Sequence, residues 1–249
     1  MDSGFYAACA GLQAQSQALE VVAHNLANLD TAGFHGEQAT FQSLMAVSHP
    51  TVPNVLNLAT NNFGVLEGAH MDMTAGNLQT TGNPLDVGIE GSGFFEIRTD
   101  RGIRYTRNGS FQVSSAGVLV TAAGDPVYGD PALAPKGLIN IPAGPISIAS
   151  DGTVSVNGAV AGTIRVVEFD PGTKLTAEGA TLLAAPEGSA KLAPKPSLRQ
   201  GTLETSNVNS VDSVVALIGV QRQAEMLQRA MSLFDTEFNR IASSDLAKV

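Results

Sequence analysis

Residues 217–241, LIGVQRQAEMLQRAMSLFDTEFNRI, decide how the ends of this chain are read. Val220, Leu227, Phe234 and Ile241 sit seven apart, and Leu217, Ala224, Met231 and Phe238 fill the alternate position. This is an unbroken 4-3 stripe, the pattern of a helix that packs along one seam against another helix. Ser210 or Asp212 can cap its start. Charges fall on the outer faces, at Arg222, Glu225, Arg229, Asp235, Glu237 and Arg240. The other end of the sequence carries a matching pattern. Residues 3–29 read as a helix in which Phe5, Leu12, Leu19 and Leu26 recur every seven residues. Ala8, Val22 and Leu29 are their companions, weakened by Gln15, and Ser3 stands where an N-cap is expected. Such a helix is roughly 40 Å long. Two stripes of similar length most simply pair with each other, parallel or antiparallel according to how the middle returns the chain.

The remaining faces of the first helix are unusual. Between Ser3 and Leu29 the only charged side chain is Glu20. A solvated helix normally carries charge pairs, so this one reads as a helix surrounded by protein. The whole chain leans the same way: 43% of its 249 residues are hydrophobic and only 15% charged, against roughly 25% in an average soluble protein. The net charge of −9 and the absence of a Lys/Arg cluster argue against nucleic acid and against docking on anionic lipid. Cys9 is the only cysteine, so no intrachain disulfide is expected. No apolar run approaches the roughly 18 residues of a membrane span. The start, Met1-Asp2-Ser3-Gly4-Phe5, lacks the positive residues and apolar core of a secretory signal. The expectation is a cytoplasmic chain or one exported without a cleaved signal.

The middle changes character at once. Asp30-Thr31-Ala32-Gly33-Phe34 reads as a helix stop, with Gly33 free to take positive φ. Residues 35–79, rich in Asn, Thr and Gly, read as an extended linker. From Leu85 onward short strand patterns alternate with turns. Leu85 to Ile89 has period two, and turns are marked by Asp100-Arg101-Gly102, Asn108-Gly109, Gly117, Asp151-Gly152 and Asn157-Gly158. Pro126, Pro131, Pro135, Pro142 and Pro145 exclude a helix from their stretch. The expected fold is α+β: residues 1–34 and 206–249 form a terminal helical domain with coiled-coil-like pairing, 35–79 a linker, and 80–205 an all-β middle domain.

Chemistry is hard to find. His24, His35, His49 and His70 show no i+3 or i+4 pairing and read as polar surface or linker residues, with His24 on the first helix. Gly91-Ser92-Gly93 opens no helix, so it is a turn or bulge rather than a phosphate cradle. Asp86 and Glu90 share a strand face near Glu96, without an acid/base context. Asn108-Gly109-Ser110 fits a glycosylation acceptor but reads better as a hairpin turn. No catalytic residue, cofactor or metal site is expected, and the chain reads as a non-enzymatic building block.

Specific strings sharpen this. Asn25-Leu26-Ala27-Asn28 followed by Thr31-Ala32-Gly33-Phe34 resembles the N-terminal motif of the bacterial flagellar rod and hook family. Gln200 to Asn209, containing Ser206, Asn207 and Asn209, is similar to that family's C-terminal motif, and Gln221-Arg222 matches a pair in its following helix. Leu85-Asp86-Val87, Gly91 to Phe95 and Tyr105 to Phe111 resemble its central strings, while Ala224 departs from the aromatic common there. The start, Met1 to Tyr6, is more similar to the proximal rod branch than to the distal one. The resemblance implies a structural subunit of the basal-body rod, in the periplasm, exported by the flagellar type III apparatus with its N-terminus uncleaved. Its implied partners are that apparatus and other rod and hook-family subunits, with no nucleic acid, small-molecule substrate or membrane insertion. The competing readings are a secreted β-domain binding module on a helical stalk, expected as a closed soluble oligomer, and an enzyme, expected to show a concave pocket with convergent titratable groups.

Overall fold

The structure, a computed structural model, describes the backbone of residues 2–43, 64–134 and 137–246, and side chains in those stretches except at 2–8, 40–43, 64–69, 234, 235 and 237–246. The chain forms two compact units. Unit 1 comprises Met1–Ala27, Glu37–Asp72 and Asn209–Val249; unit 2 comprises Asn28–Gly36 and Met73–Val208.

In unit 1, α1 spans Asp2–Ala27 and α2 spans Ser210–Leu246. Helix α1 starts one residue ahead of the expected Ser3 cap. Helix α2 is capped by neither Ser210 nor Asp212 but by Asn209, whose Oδ1 accepts Val211 N at 2.9 Å and Asp212 N at 3.4 Å. An Asn just outside the first turn satisfies amides that have no partner within the helix. The stretch expected as a linker is not free over its whole length. It contributes β1 (Glu37–Ser43) and β2 (Gly64–Met71), an antiparallel pair with an irregularity between Thr40 and Phe41. Both strands contact α1. Asn25 fixes where β1 starts: its Nδ2 donates to Glu37 O at 2.7 Å and its Oδ1 accepts Glu37 N at 2.9 Å. The Asn side chain thus stands in for a neighbouring strand. Composition alone hid this pair, because each strand is completed by a partner remote in sequence.

Unit 2 holds the remaining strands. They are β3 (Leu78–Thr80), β4 (Val87–Ile89), β5 (Phe94–Thr99), β6 (Gly102–Thr106), β7 (Phe111–Val113) and β8 (Leu119–Thr121). There follow β9 (Ile146–Ile148), β10 (Thr153–Val156), β11 (Ala159–Thr163), β12 (Val166–Phe169), β13 (Thr176–Ala177) and β14 (Leu183–Ala184). The last are β15 (Ala190–Leu192), β16 (Leu198–Gln200) and β17 (Thr202–Glu204). A six-stranded sheet runs β13-β14-β6-β5-β12-β15, a three-stranded one β11-β10-β9, and three pairs are β16-β4, β17-β3 and β7-β8. The β10–β11 hairpin turns as its sequence predicts, with Asn157 and Gly158 both at positive φ (53° and 82°).

Two local expectations fail. Asn108-Gly109 joins β6 to β7, which do not pair with each other, so it is not a hairpin turn. Gly109 instead lies so close to the Val87 carbonyl that a Cβ would overlap it, and Val87 N donates to Gly109 O at 3.0 Å. Period two around Leu85–Ile89 does not produce a solvent face, since Asp86, Val87, Gly88 and Ile89 are all buried. A Cβ on Gly88 would come within 2.6 Å of Leu78 Cδ2 and 2.8 Å of Thr202 Oγ1, so only glycine admits β3 and β17 over this strand.

The core of unit 2 centres on Phe95, Ile97, Phe111, Val127 and Val154, all 0–1% exposed. The Phe95 and Phe111 rings meet edge to face at 5.0 Å. Phe95→Ala removes that contact and leaves a cavity that the surrounding strands cannot fill. The expected loss is about 3–5 kcal/mol in the unfolding free energy of unit 2, measurable by urea denaturation followed by near-UV circular dichroism.

Candidate assembly site

Helix α2 carries the seam residues as follows. From Ser210 to Leu233, the positions that are not exposed are Ser213, Leu217, Val220, Ala224, Leu227, Ala230 and Met231. Apart from Ala230 these recur at 4-3 spacing along one face. Helix α1 differs from its expected stripe. Leu12, Leu19 and Leu26 are half-buried, while among the described side chains of α1 the deepest are Ala14 and Ala18, at 5% and 3% exposure. Helices α1 and α2 contact each other, and a Cβ on Gly11 would lie 3.4 Å from Leu227 Cδ1. The large apolar side chain sits on α2 and the small ones on α1, which lets the helix backbones approach closely. Phe5, Phe234, Phe238 and Ile241 lie on the helices, with side chains outside the described residues. Gln221 and Arg222 are exposed.

The other sequence-predicted residues converge in unit 2. Thr31 closes a turn on Asn28, its N donating to Asn28 O at 3.2 Å and its Oγ1 to Asn28 Oδ1 at 3.1 Å. Gly33 has φ 66°, and a Cβ there would overlap the Arg107–Asn108 backbone, so both conformation and space require glycine. Its N donates to Glu204 O at 2.8 Å. Phe34 is 2% exposed, and its carbonyl accepts Asn207 N at 3.3 Å. Asn207 also accepts Gly36 N on Oδ1 at 2.7 Å and donates Nδ2 to Thr74 O at 2.9 Å. Ser206 Oγ accepts Val208 N at 3.2 Å.

At the centre is a buried ionic group that the sequence reading missed. Glu204 and Arg107 are 2% and 4% exposed, and Arg107 Nη1 donates to Glu204 Oε2 at 2.9 Å. Glu204 Oε1 accepts Gly76 N at 2.8 Å and lies 3.5 Å from His35 Nε2. Arg107 Nη2 donates to Gly91 O at 2.9 Å, and the guanidinium sits 5.2 Å from the Phe94 ring centroid. Burial alone would push the Glu204 carboxyl up. The His35 imidazole, the Arg107 charge and the Gly76 amide outweigh burial and hold it below the ordinary carboxylate value. Both carboxylate oxygens are engaged, so the arrangement ties chain segments together. His35, expected on a surface or linker, is 6% exposed because the Phe34 turn carries it inward beside Phe94. Of the other histidines, His24 is half-buried, His70 is exposed, and His49 falls outside the described residues. Asp86 and Glu90 do not share a face: Asp86 is buried and accepts Thr81 Oγ1 at 2.6 Å and Asn83 Nδ2 at 2.9 Å, while Glu90 is exposed. One signal could have exposed the ionic group: in a chain so poor in charge, Arg107 and Glu204 both stand inside otherwise uncharged family strings.

Comparison with known sequences agrees with this convergence. Residues 5–35 match the flagella basal body rod protein family, residues 88–156 the flagellar hook protein FlgE/F/G D1 domain, and residues 199–243 the flagellar basal body rod FlgEFG protein C-terminal family. The chain is 31% identical to the flagellar basal-body rod protein FlgF of Caulobacter vibrioides over 255 residues, covering 100% of both chains. It is 34% identical to the FlgF protein of Salmonella typhimurium over 261 residues, covering 96% of this chain and 97% of that one. It is also 33% identical to the flagellar basal-body rod protein FlgG of Buchnera aphidicola over 259 residues, covering 93% and 95%.

Removing one member of the buried pair strands the other. Glu204→Ala is expected to remove about 3–5 kcal/mol from unit 2 at neutral pH. Because the folded carboxyl is held below its ordinary value, its contribution is present above that value, about 4.3, and disappears as pH falls through the depressed one. The stability gap between wild type and Glu204→Gln should therefore be constant from pH 7 to 5 and close on further acidification. A gap independent of pH down to 3 would show that the folded carboxyl titrates as it does in the unfolded chain, with no net stabilisation of its charge.

Proposed function

The chain belongs to the flagellar basal-body rod protein family and is a rod subunit, and within that family we propose that it self-assembles through its paired terminal helices as a proximal-rod, FlgF-like component. The observation that carries the self-assembly reading is that α2 is apolar on two sides. One side is the 4-3 stripe that includes Leu217, Val220 and Leu227. On the outward side, Val211, Val215, Met226 and Leu233 are 62–68% exposed and Ile218 is 45% exposed. These apolar side chains share the outward face with Arg222 and Arg229, and exposed apolar area on a helix already packed along another face suits a further protein contact. The almost uncharged α1 supports the same reading. Partners on this reading are other rod and hook-family subunits, meeting through coiled-coil-like seams that extend to Phe5, Phe234, Phe238 and Ile241.

The location is the flagellar basal body. We further propose a periplasmic position reached through the flagellar type III apparatus with the N-terminus uncleaved, since cleavage after the first turns would delete Phe5 and Leu12 from the seam. The similarity of Met1 to Tyr6 to the proximal branch favours FlgF. A distal, FlgG-like place is the second reading, because relatives of that name match at comparable identity.

Met226→Asp with Leu233→Asp tests assembly. Both side chains are exposed, so subunit stability should change by no more than about 0.5 kcal/mol each, while incorporation into purified basal bodies should fall at least about tenfold. Normal incorporation of the double variant would sink the two-faced reading of α2. In the same basal bodies, mass spectrometry should find the uncleaved start, and electron microscopy of a labelled chain should place it at the membrane-proximal end of the rod.

A further inference from the structure

We propose that unit 2 closes in one step controlled by residues 198–207, and that its sheet stays open to solvent until this late segment joins. The strand pairing carries the inference. Among the described residues, β4 has no sheet partner except β16, and β3 none except β17. Leu198 packs in the same core cluster as Val87, Phe95 and Val154. Gln200 bridges two distant stretches, donating Nε2 to Pro84 O at 2.8 Å and Ile146 O at 3.1 Å while its Oε1 accepts Ile148 N at 3.2 Å. Glu204 supplies the carboxylate for Arg107, 97 residues away in sequence, and the acceptor for the Gly76 amide, 128 residues away.

Before residues 198–207 arrive, a compact unit would bury a guanidinium without its carboxylate and leave the backbone of β4 without its sheet partner and the core without Leu198. Both conditions oppose early compaction. Closing loops of this length is entropically unfavourable until the contacts they bring are made, so the join belongs with the rate-limiting event rather than after it. The inference rests on pairing within unit 2 and is independent of the assembly reading.

Pulsed hydrogen exchange during refolding of the full chain tests it. The amides of β5 and β6 should gain protection in the same phase, and at the same rate, as those of Gly33, Gly76 and Thr81, which donate to Glu204 and Gly201. Glu204→Ala should slow protection of β5 and β6 by about tenfold or more, as expected for a contact formed in the transition state. Leu198→Ala, which leaves no buried charge unpaired, should slow it in the same direction and serves if Glu204→Ala does not refold. Early protection of β5 and β6 while Gly76 still exchanges would overturn the proposal. So would variants that fold at the wild-type rate and merely unfold faster.

Discussion

The Glu204 carboxylate needs partners inside unit 2, and those partners come from segments far apart in sequence. A buried charge left alone is costly enough to unfold a domain, so its ligands are constrained together. Arg107 comes from the end of β6, Gly76 from the approach to β3, and His35 from the turn that follows α1. The Glu204 backbone carbonyl holds Gly33, and three residues later Asn207 holds both Phe34 and Gly36. The other buried carboxylates differ: Asp86 is bonded by its near neighbours Thr81 and Asn83, and Glu96, pushed up by burial, lies 3.4 Å from Arg165. A low charge count therefore does not mean that charge is unimportant. Glu204 and Arg107 position backbone at Gly76 and Gly91.

The helices work by a different principle. Helix α1 offers Gly11, Ala14 and Ala18 to its own unit, and Leu227 of α2 lies against Gly11. Close packing of this kind depends on shape, and it leaves the larger side chains Leu12, Leu19 and Leu26 only half covered. The leucines of α1 stay partly exposed, and the outward face of α2 mixes exposed apolar side chains such as Met226 and Leu233 with Arg222 and Arg229.

Periodicity carried the helices because a 4-3 stripe is a local signal with a single geometric meaning. The hairpin at Asn157-Gly158 was equally legible, since its two residues tolerate the positive φ that the turn demands. Asn108-Gly109 shows the limit of the same reasoning. The dipeptide permits a tight turn, but close approach to Val87 uses the glycine instead. The β1–β2 pair was missed for a related reason, as a strand is recognised by its partner as much as by its own residues.

By itself the sequence determined the two helices, the strand-rich middle, and the family strings at both ends and in the centre. These are properties of residue spacing and residue type, which survive without knowledge of contacts. Tertiary structure alone decided that Glu204, Arg107 and His35 are buried together, that Asn209 caps α2, and that alanines rather than leucines are the deepest of the described side chains of α1. Each of those depends on what another part of the chain places opposite. A carboxylate, an asparagine or an alanine looks the same in sequence whether it faces water or a partner a hundred residues away.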